Sequence, residues 1–278
     1  MMRLMLNAHP RLVVPFESNF IPSFYRRLYE YGDLTTQSNV GRLLTDIGTN
    51  EHVMRGKLIA DRAAILARPI RSYADLIRAI FDVYAESLKK PHWGDKTPGY
   101  GSQLDVLWRL FPGCRIIHII RDGRDVAISN RGISWGIHNI PTMARAWRWE
   151  TMITRKLGHM LGEQYMELHY EDLVTDPPRE LRRICAHIGE DYDNAMLLYH
   201  EVATSNMPAD SLQWHSSSVS APNMDKIGLW RRELSIADRT IFEEHAGDVL
   251  HEFGYPLERY PRTIRSRMKE MLYALRGA

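Results

Sequence analysis

The stretch from Arg115 to Ser129 constrains the fold more than any other part of this 278-residue sequence. It begins with the apolar, β-branched run of residues 116–120, which is too short for a helix of its own and is typical of a strand buried on both faces of a parallel sheet. Asp122 then provides a helix cap, and Asp125 repeats the acidic preference of a first helical turn. A strand that leads directly into a helix predicts an α/β fold.

Arg121 lies at the carboxyl end of this predicted strand, which is where open α/β sheets bind their ligands. Ser129 follows about two helical turns later, roughly 10 Å along the axis. A guanidinium fork and a hydroxyl that converge on one point form a site for a phosphate dianion. The alternative is that Arg121 pairs with Asp125 on a solvated helix face, and the spacing alone does not decide between the two.

Glu17 is a candidate general base. It lies between Phe16 and Phe20, ahead of a loop that Pro22 ends, and a carboxylate in such poorly solvated surroundings is a stronger base. The alternative is that Glu17 is an ordinary capping or pairing residue.

Lys96 is a second candidate for chemistry. It lies in the segment from His92 to Tyr100, where two glycines and a proline fix an irregular backbone around a single lysine. A lysine held on such a loop can place its ammonium group against a transferring anion. The alternative is a surface lysine paired with Asp95.

Composition narrows the classes of function. The formal net charge of +2 and the pI near 8.5 suit an anionic ligand and fall short of the charge density of a nucleic-acid binder. The two cysteines, Cys114 and Cys185, are far apart and predict neither a disulfide framework nor a zinc site, so we expect a reduced, cytoplasmic compartment. The apolar opening ends at Asn7, too early for a signal peptide or an integral membrane segment.

The remaining elements follow from hydrophobic periodicity and from caps. We expect a helix tail over residues 1–8, a short strand over 12–15, packing helices over 23–90, an amphipathic helix over 102–111, a long helix over 143–160, a strand over 165–170, a helix from Asp176, a loop over 206–223, a capped helix from Ser235 and a basic amphipathic helix over 259–278.

The last of these helices carries an apolar stripe of Ile264, Met268, Met271 and Leu272. A basic helix of this kind could touch an anionic membrane surface. Docking against the rest of the domain or against a partner subunit is the favoured interpretation. The sequence does not decide whether the chain forms a homodimer.

Taken together, these segments resemble the sulfotransferases that use 3′-phosphoadenosine 5′-phosphosulfate (PAPS), most closely the branch related to tyrosylprotein sulfotransferases. The similarity runs from Arg3 to about Leu257. It implies a three-layer, P-loop-like α/β fold with a central parallel sheet flanked by helices. The domain would cover residues 1–258, and the basic helix would follow over 259–278.

The resemblance also assigns roles to the candidates already found. Arg121 and Ser129, in the motif RDGRDVAIS, match the family's pair of 3′-phosphate ligands. Glu17 falls where that branch keeps its catalytic base, and Lys96, in GDKTP, falls on its catalytic lysine.

Further nucleotide contacts are implied in the same way. Tyr170, in the motif YEDLV, matches a residue that contacts the nucleotide. Ser217 and Ser218 in the serine run, and Trp230 after Gly228, resemble the loop that closes over the nucleotide.

The sequence departs from the family at its start. Relatives begin with a strand and a loop of the type Pro-Arg-Ser-Gly-Thr-Thr, whose backbone amides bind the 5′-phosphosulfate. Met1 falls just after the point where that loop would end, so we expect the first strand and the loop to be absent from this sequence and the domain to be incomplete at its N-terminus.

The resemblance implies metal-independent transfer of a sulfuryl group from PAPS to a hydroxyl group of a small molecule, a carbohydrate or a peptide tyrosine. The alternative is a catalytically degenerate nucleotide-binding or interaction protein that retains only the 3′-phosphate site.

Overall fold

The computed structural model describes residues 1–131, 136–202 and 221–275. The strands in these ranges are β1 (Leu12–Val13), β2 (His92–Trp93), β3 (Ile116–Ile120) and β4 (Tyr165–His169). The helices are α1 (Met2–Ala8), α2 (Ile21–Tyr25), α3 (Gln37–Gly48), α4 (Glu51–Arg55), α5 (Arg62–Leu66), α6 (Tyr73–Ser87), α7 (Leu104–Leu110), α8 (Gly123–Arg131), α9 (Ile140–His159), α10 (Tyr170–Thr175), α11 (Pro177–Ile188), α12 (Tyr199–Val202), α13 (Trp230–Glu233), α14 (Ile236–Glu252) and α15 (Ile264–Leu275).

The chain divides into two compact units. The first unit comprises Met1–Arg115 and Leu181–Pro222, and the second comprises Ile116–Glu180 and Asn223–Ala278. The basic helix predicted over 259–278 is present as α15 within the second unit.

The first unit contains a two-stranded parallel sheet, in which Leu12 lies opposite His92 and Val13 opposite Trp93. Lys90 supports this sheet, because its Nζ donates to the carbonyl oxygens of Asn7, His9 and Leu12 at 2.5, 2.9 and 3.0 Å. The ammonium group thereby satisfies carbonyls at the end of α1 that have no helical partner. β2 was not predicted from the sequence, because a strand of two residues without a neighbouring apolar run is too short to give a periodic signal.

Helices α2 to α6 enclose the core of the first unit. Its fully buried side chains include Phe20, Leu43, Ile47, Leu76 and Phe81. The prediction of packing helices over 23–90 is confirmed, and the aromatic pair of Phe20 and Phe81, with ring centroids 6.5 Å apart, fixes the start of α2 on this core. The loop that carries Glu17 therefore leads directly into this core at Phe20.

The second unit is built on β3 and β4, which pair in parallel from Ile116 opposite Tyr165 to Ile120 opposite His169. Both strands fall within the ranges predicted from the sequence, and α8 and α9 form the connection between them. Parallel strands joined through helices define an α/β fold.

One expectation about β3 is wrong. In the described residues it pairs with β4 alone, and only Ile120 of its five residues is buried, at 2% exposure. The apolar run predicted a strand buried on both faces, and a two-stranded sheet does not cover its strands that completely.

The start of α8 depends on a close approach between backbone and aromatic rings. A Cβ atom at Gly123 would lie 2.5 Å from the ring of Trp147 and 2.7 Å from that of Phe242. Trp147 also donates from Nε1 to the carbonyl oxygen of Arg121 at 3.1 Å. The glycine thus lets the aromatic core fix the backbone where the strand turns into the helix.

None of the helices in the described ranges is long and apolar enough to cross a membrane.

Candidate functional site

In the first unit, the structure brings Glu17 and Lys96 together. Because β1 and β2 are parallel neighbours, the loops that follow them leave the same edge of the sheet. Lys96 Nζ forms an ion pair with Glu17 Oε1, and the two side chains are 40% and 20% exposed. A carboxylate and an ammonium group, separated widely in sequence, therefore share one partly solvated position.

Hydrogen bonds between neighbouring residues hold these two loops in register. Ser18 Oγ donates to Asp95 Oδ2 at 2.5 Å and lies 3.1 Å from the hydroxyl of Tyr100. That hydroxyl accepts from the backbone N–H of Ile21 at 3.0 Å. The predicted alternative for Lys96, a surface pair with Asp95, is wrong, because the Asp95 carboxylate faces the buried Ser18 and the lysine faces Glu17.

Burial shifts the pKa values of two charged groups that interact with Glu17. Burial raises the pKa of Asp95 to about 6, with hydrogen bonds from Ser18 opposing the rise and the negative charge of Glu17 adding to it. Burial lowers the pKa of the Arg3 guanidinium, an effect that Glu17 opposes. Two cationic groups, those of Lys96 and Arg3, thus interact electrostatically with Glu17.

In the second unit, Arg121 and Tyr170 are neighbours for the same topological reason. Arg121 follows the last residue of β3, Tyr170 follows the last residue of β4, and those two last residues are paired. The Arg121 guanidinium carbon lies 4.5 Å from the centroid of the Tyr170 ring, a cation–π contact. Burial raises the pKa of the Tyr170 hydroxyl, and the Arg121 charge opposes the rise.

The guanidinium group of Arg121 has an N–H donor that finds no acceptor among the described residues. Its Nη2 donates to the carbonyl oxygen of Lys226 at 2.8 Å. Its Nε is buried and finds no acceptor among the residues that the structure describes. An unsatisfied buried donor costs about 1–3 kcal/mol, so this group fits a site that an anionic acceptor completes.

Ser129 lies on α8 and is exposed. Within the described ranges its hydroxyl makes no hydrogen bond to Arg121. Its pairing with Arg121 around a phosphate stays a prediction.

The predicted alternative for Arg121, an ion pair with Asp125 on a solvated helix face, is wrong. Asp125 is 1% exposed, and its two carboxylate oxygens accept from the backbone N–H groups of Gly228 and Trp230 at 2.7 and 2.8 Å. Burial raises the pKa of this carboxyl group, and the two backbone donors oppose the rise. Asp125 thus binds the segment whose Lys226 carbonyl meets Arg121.

This role of Asp125 was not predicted from the sequence, in which the residue was interpreted as a first-turn acid and as an alternative partner of Arg121. Gly228 adopts a φ of +69°, a left-handed conformation that glycine reaches without strain. A glycine two residues before a tryptophan was the one visible signal of a fixed turn there.

Trp230 is placed differently from the other predicted nucleotide contacts. Its side chain is 1% exposed, and the guanidinium carbons of Arg124 and Arg231 lie 3.6 and 4.3 Å from its ring centroid. Any contact between this indole and a nucleotide would require the side chain to move. Ser217 and Ser218 lie outside the described residues.

A buried charge network supports the turn that carries Arg121. Arg124 is fully buried and pairs with Asp122 at 2.8 Å and with Glu243 at 2.7 Å. Asp122 also accepts from the backbone N–H of Arg124 at 2.9 Å, which confirms the predicted cap, and donates its own N–H to Glu171 at 3.0 Å. Because a buried ion pair is costly to break, this network holds the strand-to-helix turn in one conformation.

Among the described residues, no group of three histidine, cysteine or acidic side chains lies close enough to hold a metal ion.

The fold and these two sets of residues define an α/β protein whose polar side chains gather where parallel strands end. Comparison with known proteins identifies the class further. The model of the Sulfotransferase family matches residues 1–194, and the chain belongs to that family.

Curated relatives carry related names. The chain is 26% identical over 174 residues to the omega-hydroxy-beta-dihydromenaquinone-9 sulfotransferase Stf3 of Mycobacterium tuberculosis, covering 58% of this chain and 40% of that protein. It is 25% identical over 276 residues to the nodulation protein NoeE of Sinorhizobium fredii, covering 90% of this chain and 62% of that protein. A putative protein-tyrosine sulfotransferase of Caenorhabditis briggsae is 23% identical over 224 residues, or 79% of this chain and 71% of the relative. The chain therefore spans less than two thirds of the first two relatives.

Two solved structures share the fold. The sulfotransferase domain of the Synechococcus PCC 7002 olefin synthase superposes with a TM-score of 0.57 at 20% identity, covering 98% of this chain and 89% of that domain. The sulfotransferase domain from the curacin biosynthetic pathway gives a TM-score of 0.60 at 15% identity, covering 92% and 93%. The predicted P-loop-like α/β fold class is confirmed.

Proposed function

We propose that this protein transfers a sulfuryl group from PAPS to a hydroxyl group of an acceptor. Membership of the sulfotransferase family supports the reaction class. The observation that carries the proposal is the contact between Lys96 and Glu17, because it gives one position both a base and a fixed positive charge.

Glu17 is the proposed general base. As the acceptor oxygen forms its bond to sulfur, the hydroxyl proton passes to the Glu17 carboxylate. The carboxylate is 20% exposed, so it is accessible and still shielded from bulk water. Positioned proton transfer of this kind contributes about 100- to 10,000-fold to the rate.

Lys96 is the proposed electrostatic partner of the leaving group. The bond between sulfur and the bridging phosphate oxygen breaks, and the electron pair stays on that oxygen as adenosine 3′,5′-bisphosphate departs. An ammonium group offsets this growing negative charge. In this proposal, the ion pair with Glu17 keeps the ammonium in place before the donor binds, and no step requires a metal ion.

Arg121, Tyr170 and Ser129 are the proposed contacts to the donor nucleotide. Two observations support Arg121: its buried Nε has no acceptor among the described residues, and its guanidinium group contacts the Tyr170 ring. A planar guanidinium group is suited to binding paired phosphate oxygens. ATP has no 3′-phosphate for this group to bind, so the same residue would select PAPS. The role of Ser217, Ser218 and Trp230 in a loop that closes over the nucleotide stays a prediction.

The acceptor class is proposed only as a hydroxyl compound. The relatives' names point to different acceptors, a hydroxylated menaquinone for Stf3 and protein tyrosine for the C. briggsae protein. A phenol with a pKa near 10 needs less help from a base than an alcohol does, but Glu17 can serve either. Small molecules, carbohydrates and peptide tyrosines are therefore all candidates.

The test is transfer of ³⁵S from labelled PAPS to a panel containing a simple phenol, a tyrosine peptide, a long-chain primary alcohol and a monosaccharide. Labelled product that depends on both protein and PAPS, and that adenosine 3′,5′-bisphosphate inhibits, supports the proposal. Tight binding of the bisphosphate without labelled product from any acceptor would instead favour the nucleotide-binding protein without catalysis.

A further inference from the structure

Helix α15 packs on the second unit with polar side chains facing inward, the reverse of an ordinary surface helix. Ser266 is buried at 1% exposure. Lys269 Nζ donates to Asp238 Oδ2 at 2.6 Å, and the Tyr273 hydroxyl donates to Asp238 Oδ1 at 3.0 Å. The Tyr273 carbonyl accepts from Asn139 Nδ2 at 3.0 Å. The docking of this helix against the domain, favoured from the sequence, is thus made by hydrogen bonds and an ion pair.

The opposite face of α15 is apolar and exposed. Its large side chains are between 50% and 79% exposed, and they are Ile264, Met268, Met271, Leu272 and Leu275. At 3.6 residues per turn these five fall within an arc of about 100°. An ordinary surface helix buries such a stripe against its own domain, so a contiguous exposed stripe indicates an interaction surface.

One arginine lies at each edge of this stripe. Arg265 lies about 20° beyond Leu272, and Arg267 lies about 40° beyond Met271 on the other side. Both are exposed. The single acidic residue of the described helix, Glu270, faces inward, where it accepts from His245 at 2.9 Å and pairs with Arg262. The outward face is therefore apolar along its centre and carries one positive charge at each edge.

We infer that the outward face of α15 binds an anionic lipid surface, lying parallel to it. The five apolar side chains would enter the boundary between headgroups and acyl chains, and the two arginines would contact lipid phosphates. This charge pattern argues against a second copy of the chain. The outward face carries no carboxylate, so a second copy of the same face would offer the two arginines no opposite charge.

The helix requires no rearrangement for this role. Its inward contacts with Asp238 and Asn139 already hold it on the second unit with the stripe facing solvent. At twelve residues, α15 is suited to lying at an interface and too short to span a bilayer.

Co-sedimentation of the full chain with vesicles tests the inference. Binding is expected to vesicles of equal parts phosphatidylcholine and phosphatidylglycerol. It is expected to be much weaker with phosphatidylcholine alone, and to fall at an ionic strength of about 1 M, where charges are screened within about 3 Å. Arg265→Gln combined with Arg267→Gln should weaken binding to the anionic vesicles roughly 30-fold. Met268→Gln combined with Met271→Gln should weaken binding to both kinds of vesicle.

The matched control is Arg109→Gln combined with Arg145→Gln, which removes the same charge from exposed positions outside α15. It should bind anionic vesicles nearly as the unmodified chain does. Since every substituted side chain is exposed, an unchanged circular dichroism spectrum should accompany each variant. No binding at low salt, or equal weakening in the control, would overturn the inference. So would a dimer in solution that Met268→Gln and Met271→Gln dissociate without any binding to vesicles, since the stripe would then be an interface between copies.

Discussion

Ser18 donates a 2.5 Å hydrogen bond to the carboxylate of Asp95. The residue after the proposed base is thereby bonded to the residue before the proposed lysine. The Tyr100 hydroxyl lies 3.1 Å from Ser18 Oγ and accepts from the backbone N–H of Ile21. The register between the two loops is consequently set by residues that are not themselves proposed to react.

The raised pKa of Asp95 predicts a pH-dependent stability. Its carboxyl group titrates near pH 6 in the folded protein and near 3.8 when unfolded. Between these values the folded state holds a proton that the unfolded state has lost, so stability falls as the pH rises from about 4 to 6. The total effect is at most about 3 kcal/mol, since the residue keeps some exposed surface.

Chemical denaturation of Asp95→Asn at several pH values tests this directly. The variant carries a neutral group throughout, so its stability relative to the unmodified protein should increase between pH 4 and 6. Asp105→Asn, at an exposed position of the same unit, should show no such trend. If the difference in stability between Asp95→Asn and the unmodified protein does not change with pH, the pKa of Asp95 is not raised by burial.

Arg121→Ala should change nucleotide selectivity. Loss of a charged hydrogen-bonding group costs about 1.5–3 kcal/mol, which corresponds to a loss of roughly 10- to 150-fold in affinity for adenosine 3′,5′-bisphosphate. Binding of AMP, which lacks the 3′-phosphate, should hardly change. Isothermal titration calorimetry with both nucleotides measures this, and Arg121→Lys should keep only part of the affinity because it lacks the planar fork. Equal losses of affinity for the two nucleotides would show that Arg121 does not bind the 3′-phosphate.

Asp125→Asn should destabilise the protein by about 1–3 kcal/mol. Both carboxylate oxygens accept backbone N–H groups, and an amide would place a donor against one of them. Denaturant unfolding measures the change, with Asp225→Asn as the control at an exposed position in the neighbouring segment. A variant as stable as the control would show that the segment at Gly228 does not depend on Asp125.

Much of this fold could be predicted from the sequence because the signals are local. The apolar run before Arg121 and the run before Tyr170 each mark a strand, and the structure pairs them residue by residue. The cap at Ser235 is also confirmed, since its hydroxyl accepts from Asp238 N at 3.2 Å. Such signals need only neighbouring residues, so no knowledge of the tertiary fold is required.

The missed features depend on contacts between distant parts of the chain. Nothing in the sequence near Asp125 shows that its carboxylate binds Gly228 and Trp230, about a hundred residues later. Ser18 and Asp95 are likewise 77 positions apart. The alternatives that failed, Arg121 with Asp125 and Lys96 with Asp95, each paired opposite charges that are neighbours in sequence, while burial gave both carboxylates other partners.

The most direct test of the proposed chemistry is a single-turnover assay of ³⁵S transfer by Glu17→Gln, with adenosine 3′,5′-bisphosphate affinity measured on the same preparation. Glu30→Gln, an exposed glutamate of the first unit, is the control. Glu17→Gln is expected to lower the transfer rate by about 100- to 10,000-fold and to leave nucleotide affinity within a few-fold of the control. A variant that transfers sulfuryl as fast as the control, or that loses nucleotide affinity in proportion to its rate, would contradict the role of Glu17 as the base.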